Sequence, residues 1–192
     1  VTVTVIPFPT ADAGNTPASV CLGSGIQIGG APTGPAGASY AWSSIPAGFS
    51  STAPNPTVSP TVNTTYTVTV TIGSGTTCTD TDDILVVVNT LPAADAGVDQ
   101  DICPGTSVQI GVTPVAGFTY SWTPTAGLSS STVANPIATP TTPTAYTVVI
   151  TETATGCSDN AVMNITFNSV PTPLFTVDKT CINQIAEFTD AS

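Results

Sequence analysis

Residues 65–71 read TYTVTVT, and residues 145–151 read AYTVVIT. In the first stretch Tyr66, Val68, Val70 and Ile72 alternate with Thr67, Thr69 and Thr71. That period of two predicts a β-strand with one face in a core and the other in water. The return of the same pattern at 145–151 predicts a second domain of the same kind.

Working outward from these strands, the two halves of the chain match motif by motif. ADAG opens both, at 11–14 and 94–97. Cys21, Gly23 and the run Ile26-Gln27-Ile28-Gly29 match Cys103, Gly105 and Val108-Gln109-Ile110-Gly111. YAW at 40–42 matches YSW at 120–122, Asn55-Pro56 matches Asn135-Pro136, and Pro60-Thr61 matches Pro140-Thr141. Cys78 matches Cys157, and each unit ends in Asn, at 89 and 168. Such self-similarity is the signature of tandem structural repeats. The two copies also orient the last strand. Ile84, Val86 and Val88 correspond to Met163, Ile165 and Phe167, so these face inward. Leu85 and Val87 correspond to Asn164 and Thr166, so these face outward.

Composition agrees with an all-β reading. Eighteen Pro and 16 Gly punctuate the chain, which keeps elements short. Thr and Val suit a pleated, half-buried surface. Several short strands between Gly/Pro turns predict a two-sheet β-sandwich in each repeat. Ile26 and Ile28 are the inward pair of an early strand, and Tyr40 and Trp42 share one face of the next. Trp42 and Trp122 are the expected core anchors, each removing about 150–250 Å² from water. Their recurrence at one core phase reads as packing rather than as a sugar-stacking platform. Tyr66 and Tyr146 follow a Pro-Thr-x-x-Thr-x corner and are expected to form tyrosine corners, with the hydroxyl bonded to upstream backbone. The expected organisation is 1–8 as the last strand of a preceding repeat, 9–90 and 91–169 as two repeats, and 170–192 as the start of a third domain.

The C-x-G opening, Y-x-W, N-P, P-T-x-x-T-x-Y-T-V and late Cys resemble the tandem immunoglobulin-like and PKD-like repeats of very large bacterial surface proteins. Such repeats are common in gliding, type IX-secreting bacteria of the Bacteroidota type. The tail PTPLFTVDKTCINQIAEFTDAS at 171–192 resembles the opening of a further PKD-like domain. Repeats 1 and 2 lack the W-x-F-G-D-G turn of PKD domains and are better described as Ig-like. The resemblance covers essentially the whole chain. It implies export and a stalk, adhesin or filament role, working by extension and by self-association along Thr-rich outer faces that also carry Leu85 and Val87. The start on VTVTV and the end inside a further domain read as a window from a longer secreted protein.

Five cysteines in recurring positions imply disulfides and an oxidising, extracellular setting. Two schemes stand open. One pairs Cys21 with Cys78 and Cys103 with Cys157, closing a loop inside each repeat at about 4 kcal/mol apiece. The other pairs Cys21 with Cys157 across consecutive repeats. Cys78 then pairs upstream, and Cys103 and Cys181 downstream. Ordinary Ig connectivity objects to the first, because the turn holding Cys21 and the hairpin holding Cys78 belong to opposite ends of a sandwich, and the two schemes stand near even.

The charge balance excludes several functions. One cation, Lys179, stands against 12 acidic residues, with a net charge of -11 and no His. Nucleic acids and anionic membranes require the Lys and Arg that are missing. Ser-His-Asp triads, Cys-His pairs and His-ligated metals cannot be built from this chain. Lysine-dependent isopeptide crosslinks are excluded from repeats 1 and 2. CINQ at 181–184 aligns with CLGS and CPGT, so Cys181 reads as a structural cysteine rather than a thioester. No enzyme, cofactor or membrane insertion is expected. Asp80, Asp82 and Asp83 form an oxygen-rich Ca²⁺ candidate, set against a solvated hairpin because repeat 2 has Asp159 there. Asn63-Thr64-Thr65 and Asn164-Ile165-Thr166 match the N-glycosylation pattern. The expected partners are further copies of the chain and adjacent repeats. The alternative is a module that binds glycan or protein through loops, for which Phe49, Phe118 and the aspartates at 80–83 qualify.

Overall fold

The computed structural model describes residues 8–73, 78–169, 174–177 and 188–190. The expected strand of a preceding repeat, at 1–8, lies outside the described residues except for Phe8, as do Lys179 and Cys181. The chain divides into two compact units, Val1–Pro92 with Thr155–Cys157, and Ala93–Ala154 with Ser158–Ser192.

The first unit is built from β1 (Ala18–Cys21), β2 (Ile26–Gln27), β3 (Ser39–Ile45), β4 (Ser50–Ser51), β5 (Thr57–Val58), β6 (Thr64–Ile72) and β7 (Cys78–Asn89). One sheet runs in the order β1-β7-β6-β3-β4, and β2 pairs with β5 in a second. Every pairing is antiparallel except that of β1 with β7, which is parallel. Alternation along β6 buries Thr64, Tyr66, Val68 and Val70. Ile84 and Val86 face the same core from β7, Val88 packs against it, and Leu85 is exposed. Ile28 and Val58 join this cluster from beside and within the second sheet. Side chains from both sheets therefore interdigitate in one core, which is the β-sandwich arrangement.

The second unit repeats the plan with β8 (Gln100–Ile102), β9 (Val108–Gln109), β10 (Phe118–Thr123), β11 (Ile137–Ala138), β12 (Thr144–Glu152) and β13 (Ser158–Phe167). Its main sheet has the order β10-β12-β13-β8, again with a parallel edge, β8 on β13. β9 pairs with β11, and Leu128 bridges to Ala138. Further on, β14 (Phe175–Val177) and β15 (Phe188–Asp190) form an antiparallel pair.

Trp42 and Trp122 sit in the two cores at 3% and 1% exposure. A buried indole N–H needs an acceptor. Each finds one 11 residues further on: Trp42 Nε1 donates to Ala53 O at 3.0 Å, and Trp122 Nε1 donates to Val133 O at 2.9 Å. This burial leaves no indole face for a sugar.

Gly111 packs against the ring of Trp122. Its φ is +78°, and an added Cβ would strike the Ala134 carbonyl and meet the Trp122 ring at 2.9 Å. Gly105 has a similar φ of +83° but open space around it. Gly111→Ala is therefore expected to cost more than about 2 kcal/mol, from backbone strain and overlap together. Gly105→Ala should cost about 1 kcal/mol, from strain without overlap. Urea unfolding of the two variants checks the difference.

Candidate functional site: repeated motifs and cysteines

The repeated motifs turn out to be joints of the fold. In ADAG the carboxylate of Asp12 accepts the Gly14 N–H at 2.8 Å, and that of Asp95 accepts the Gly97 N–H at 2.8 Å. These are Asx turns, in which a short side chain imitates a backbone turn. The next carbonyls, Ala13 O and Ala96 O, receive Gly29 N and Gly111 N at 2.8 and 3.0 Å. Asn-Pro works alike in both copies. Pro56 O accepts Ile28 N, and Pro136 O accepts Ile110 N, each at 3.0 Å. The glutamines of the I-Q-I and V-Q-I runs donate to Asn55 O and Asn135 O.

The aspartate cluster is likewise absorbed. Asp80 and Asp82 lie on β7, not in a loop, and their carboxylates accept Ala11 N at 2.9 Å and Ala13 N at 2.8 Å. They tie the ADAG segment to the last strand. Asp83 is exposed on the other face, because successive residues of a strand point to opposite sides. The three carboxylates do not converge. Among the described residues no group of three His, Cys, Asp or Glu is placed to hold a metal ion. Asp159, the acid at the corresponding hairpin, accepts the N–H of Asn160.

A different acid does related work in the second unit, and nothing in the repeat pattern marks it. Asp99 accepts both the backbone N–H of Asn164, at 2.7 Å, and its side-chain amide, at 3.1 Å. The backbone bond, then the side-chain bond, hold the Asp99 carboxyl below its usual value. Thr166 also bonds to Asp101. Asn164, read from sequence as a glycan acceptor, thus has its amide engaged by Asp99. Asn63 Oδ1 accepts Val88 N at 2.8 Å.

The two tyrosines differ. Tyr146 donates to Ala126 O at 2.9 Å, 20 residues upstream, which is a backbone tie of the expected kind. At Tyr66 the Thr64 side chain lies by the hydroxyl, and the ring meets Phe49 edge-on at 5.2 Å. Burial pushes both hydroxyls above their ordinary value. Phe49 and Phe118 are half-buried against the two cores. They are therefore packing residues, not an aromatic platform on a binding loop.

The cysteines are where the motifs are not used up. Cys21 is bonded to Cys157, with Cα atoms 5.5 Å apart and a separation of 136 positions in sequence. Residues Thr155–Cys157 accordingly group with the first unit. Strand register explains why the within-repeat scheme fails. Parallel pairing sets Cys21 opposite Asn89, at the far end of a 12-residue strand that begins with Cys78. At about 3.3 Å per residue that is roughly 36 Å, against the few ångströms a disulfide spans. In the second unit Ile102 lies opposite Phe167, so Cys103 and Cys157 flank opposite ends of β13. Cys78 and Cys103 carry free thiols, the first half-buried and the second exposed.

Strand order, register and core together define an all-β chain of tandem immunoglobulin-like sandwich units. No family model and no curated protein sequence matches it. Among solved structures it is similar to the insect immune protein hemolin, at 11% identity and a TM-score of 0.43, over 83% of this chain. It is similar to an I-band fragment of titin, at 12% identity and a TM-score of 0.39, over 98% of this chain and 77% of that one. A third is a sidekick-1 structure of four immunoglobulin domains, at 10% identity and a TM-score of 0.35, over 88% of this chain. The chain spans 47% of the hemolin chain and 52% of the sidekick-1 chain. At these identities and scores the likenesses carry no functional weight.

Cys21→Ser or Cys157→Ser is expected to destabilise the fold by up to about 5 kcal/mol on chain-entropy grounds. Cys103→Ser should leave stability unchanged, and thermal melts of the three variants check this. Tyr146→Phe should cost about 1 kcal/mol, and Tyr66→Phe less, because only the former orphans a part-buried backbone carbonyl. The lowered Asp99 value means that its bonds to Asn164 are intact above the ordinary value of 3.8 and are lost as pH falls through the lower folded one. Carboxyl NMR titration should find Asp99 titrating below that value, and shifting back towards it in Asn164→Ala, which removes the side-chain bond.

Proposed function

We propose that this chain is a structural repeat segment of a large extracellular bacterial surface protein, a stalk, adhesin or filamentous appendage whose subunits associate with one another. One observation carries the reading. The motifs that recur between the repeats are spent on holding the sandwich together, and the residues left over are cysteines suited to linking. ADAG, I-Q-I-G, Asn-Pro and the buried tryptophans each make the same fold-holding bonds in both units. Motifs occupied in this way support a mechanical, non-enzymatic role.

The setting follows from the same chemistry. A disulfide between Cys21 and Cys157 persists in an oxidising compartment. A single Lys and no Arg make the chain a poor substrate for trypsin-like proteases. Export through type IX secretion is proposed from the likeness of the repeat motifs to those of gliding bacteria. The outer faces offer surface for association: Leu85 on β7, and Val149 and Val162 on β12 and β13, are exposed among threonines. The half-buried positions of Phe49 and Phe118 weigh against loop-borne ligand binding as the primary role.

Electron microscopy of the secreted protein under non-reducing conditions tests the proposal. Fibres or multi-chain bundles with these units along the shaft are expected. Isolated, flexible beads would contradict it.

A further inference from the structure

The repeat sorts the cysteines into two classes. Cys21 and Cys103 each stand at the head of a turn after the first strand. In one, Ser24 N donates to Cys21 O at 2.9 Å, and in the other Thr106 N donates to Cys103 O at 3.1 Å. Gly23 and Gly105 close these turns with φ of +85° and +83° and open space around them. The backbone is the same, but Cys21 is bonded and Cys103 is an exposed thiol. Cys78 and Cys157 form the other class. Cys78 begins β7 and Cys157 immediately precedes β13, the corresponding last strand. Here Cys157 is bonded, and Cys78 is a half-buried thiol.

The bond that does form joins the turn class of the earlier repeat to the last-strand class of the later one. Neither remaining thiol has a partner within its own repeat, because register puts the two classes at opposite ends of the strand. Among the described residues the leftover pair is one of each class, and it stands in the order that a further linkage of the same type requires.

We propose that Cys103 and Cys78 are the two halves of an intermolecular disulfide that joins copies of this chain head to tail, Cys103 of one copy to Cys78 of the next. This deepens the reading of the chain as a self-associating extracellular protein and rests on it. Bond formation needs a disulfide oxidant such as oxidised glutathione. The Cys103 thiolate attacks it, forms a mixed disulfide and releases one thiol. The Cys78 thiolate of the second copy then displaces the other thiol. Two protein thiols lose two electrons and two protons, and the oxidant is reduced to two thiols. Because Cys103 and Cys78, the free thiols among the described residues, are one of each class, the linkage between them is heterologous and propagates instead of closing at a dimer.

The test uses two variants of the full chain, Cys78→Ser and Cys103→Ser, each also carrying Cys181→Ser and keeping the Cys21–Cys157 bond. Each is incubated at high concentration with oxidised glutathione, separately and mixed, and run on a non-reducing gel. Circular dichroism confirms that both fold. Each variant by itself should stay monomeric, and the mixture should give a band at twice the monomer mass that disappears on reduction. Mass spectrometry of that band should find Cys103 joined to Cys78. The parent carrying only Cys181→Ser should give a ladder. A dimer from either variant by itself would mean like-with-like pairing and would overturn the proposal. So would a mixture that stays monomeric. A mixed dimer from a protein that microscopy shows as isolated beads would retain the pairing while removing the filament reading.

Discussion

The parallel pairing of a first strand on the last strand of its unit governs the rest of this structure. In the first unit it sets Ala18 opposite Val86 and Cys21 opposite Asn89. In the second it sets Gln100 opposite Ile165 and Ile102 opposite Phe167. Shifting either pairing by one residue would turn a row of core side chains towards water, so burial of Val20 and Ile102 locks the register. Once locked, it leaves the two cysteines of a repeat at opposite ends of a long strand. A small domain that could have closed a loop on itself is thereby committed to bonding elsewhere.

The polar joints serve the same register. Asp80 and Asp82 anchor the ADAG segment to β7, while Asp99, just before β8, and Asp101, within it, tie that edge to β13. The two units reach one topology with carboxylates at different places, on β7 in the first and at or just before β8 in the second. A chain with so few charged residues uses its acids as hydrogen-bond acceptors for backbone and amide donors. That accounts for the backbone N–H partners of Asp80 and Asp82 on β7.

Much of this was legible in the sequence, and the reasons are specific. Tyr66, Val68 and Val70 alternate with threonines, so the period of two was plain. The facing of the last strand could be read because repeat 2 replaces Leu85 and Val87 with Asn164 and Thr166 while keeping apolar residues between. Other features had no such signal. Asp99 corresponds to Pro17 in the first repeat, so comparison of the copies could not mark it. Asp80 and Asp82 resembled a loop cluster because a strand as long as β7 begins well before its apolar positions. The difference between Tyr66 and Tyr146 depends on where Ala126 and Phe49 lie in space, which spacing does not encode. The cysteine pairing stayed open because two schemes fit the spacing and only strand register separates them.

The central claim is that cysteines pair between repeats because register forbids pairing within them. A non-reducing peptide map of the oxidised protein tests this most directly, cut with pepsin since the chain has one lysine and no arginine. The account predicts a disulfide-linked peptide pair containing Cys21 and Cys157. A pair containing Cys21 and Cys78 would contradict it, and with it the strand pairing on which the architecture rests.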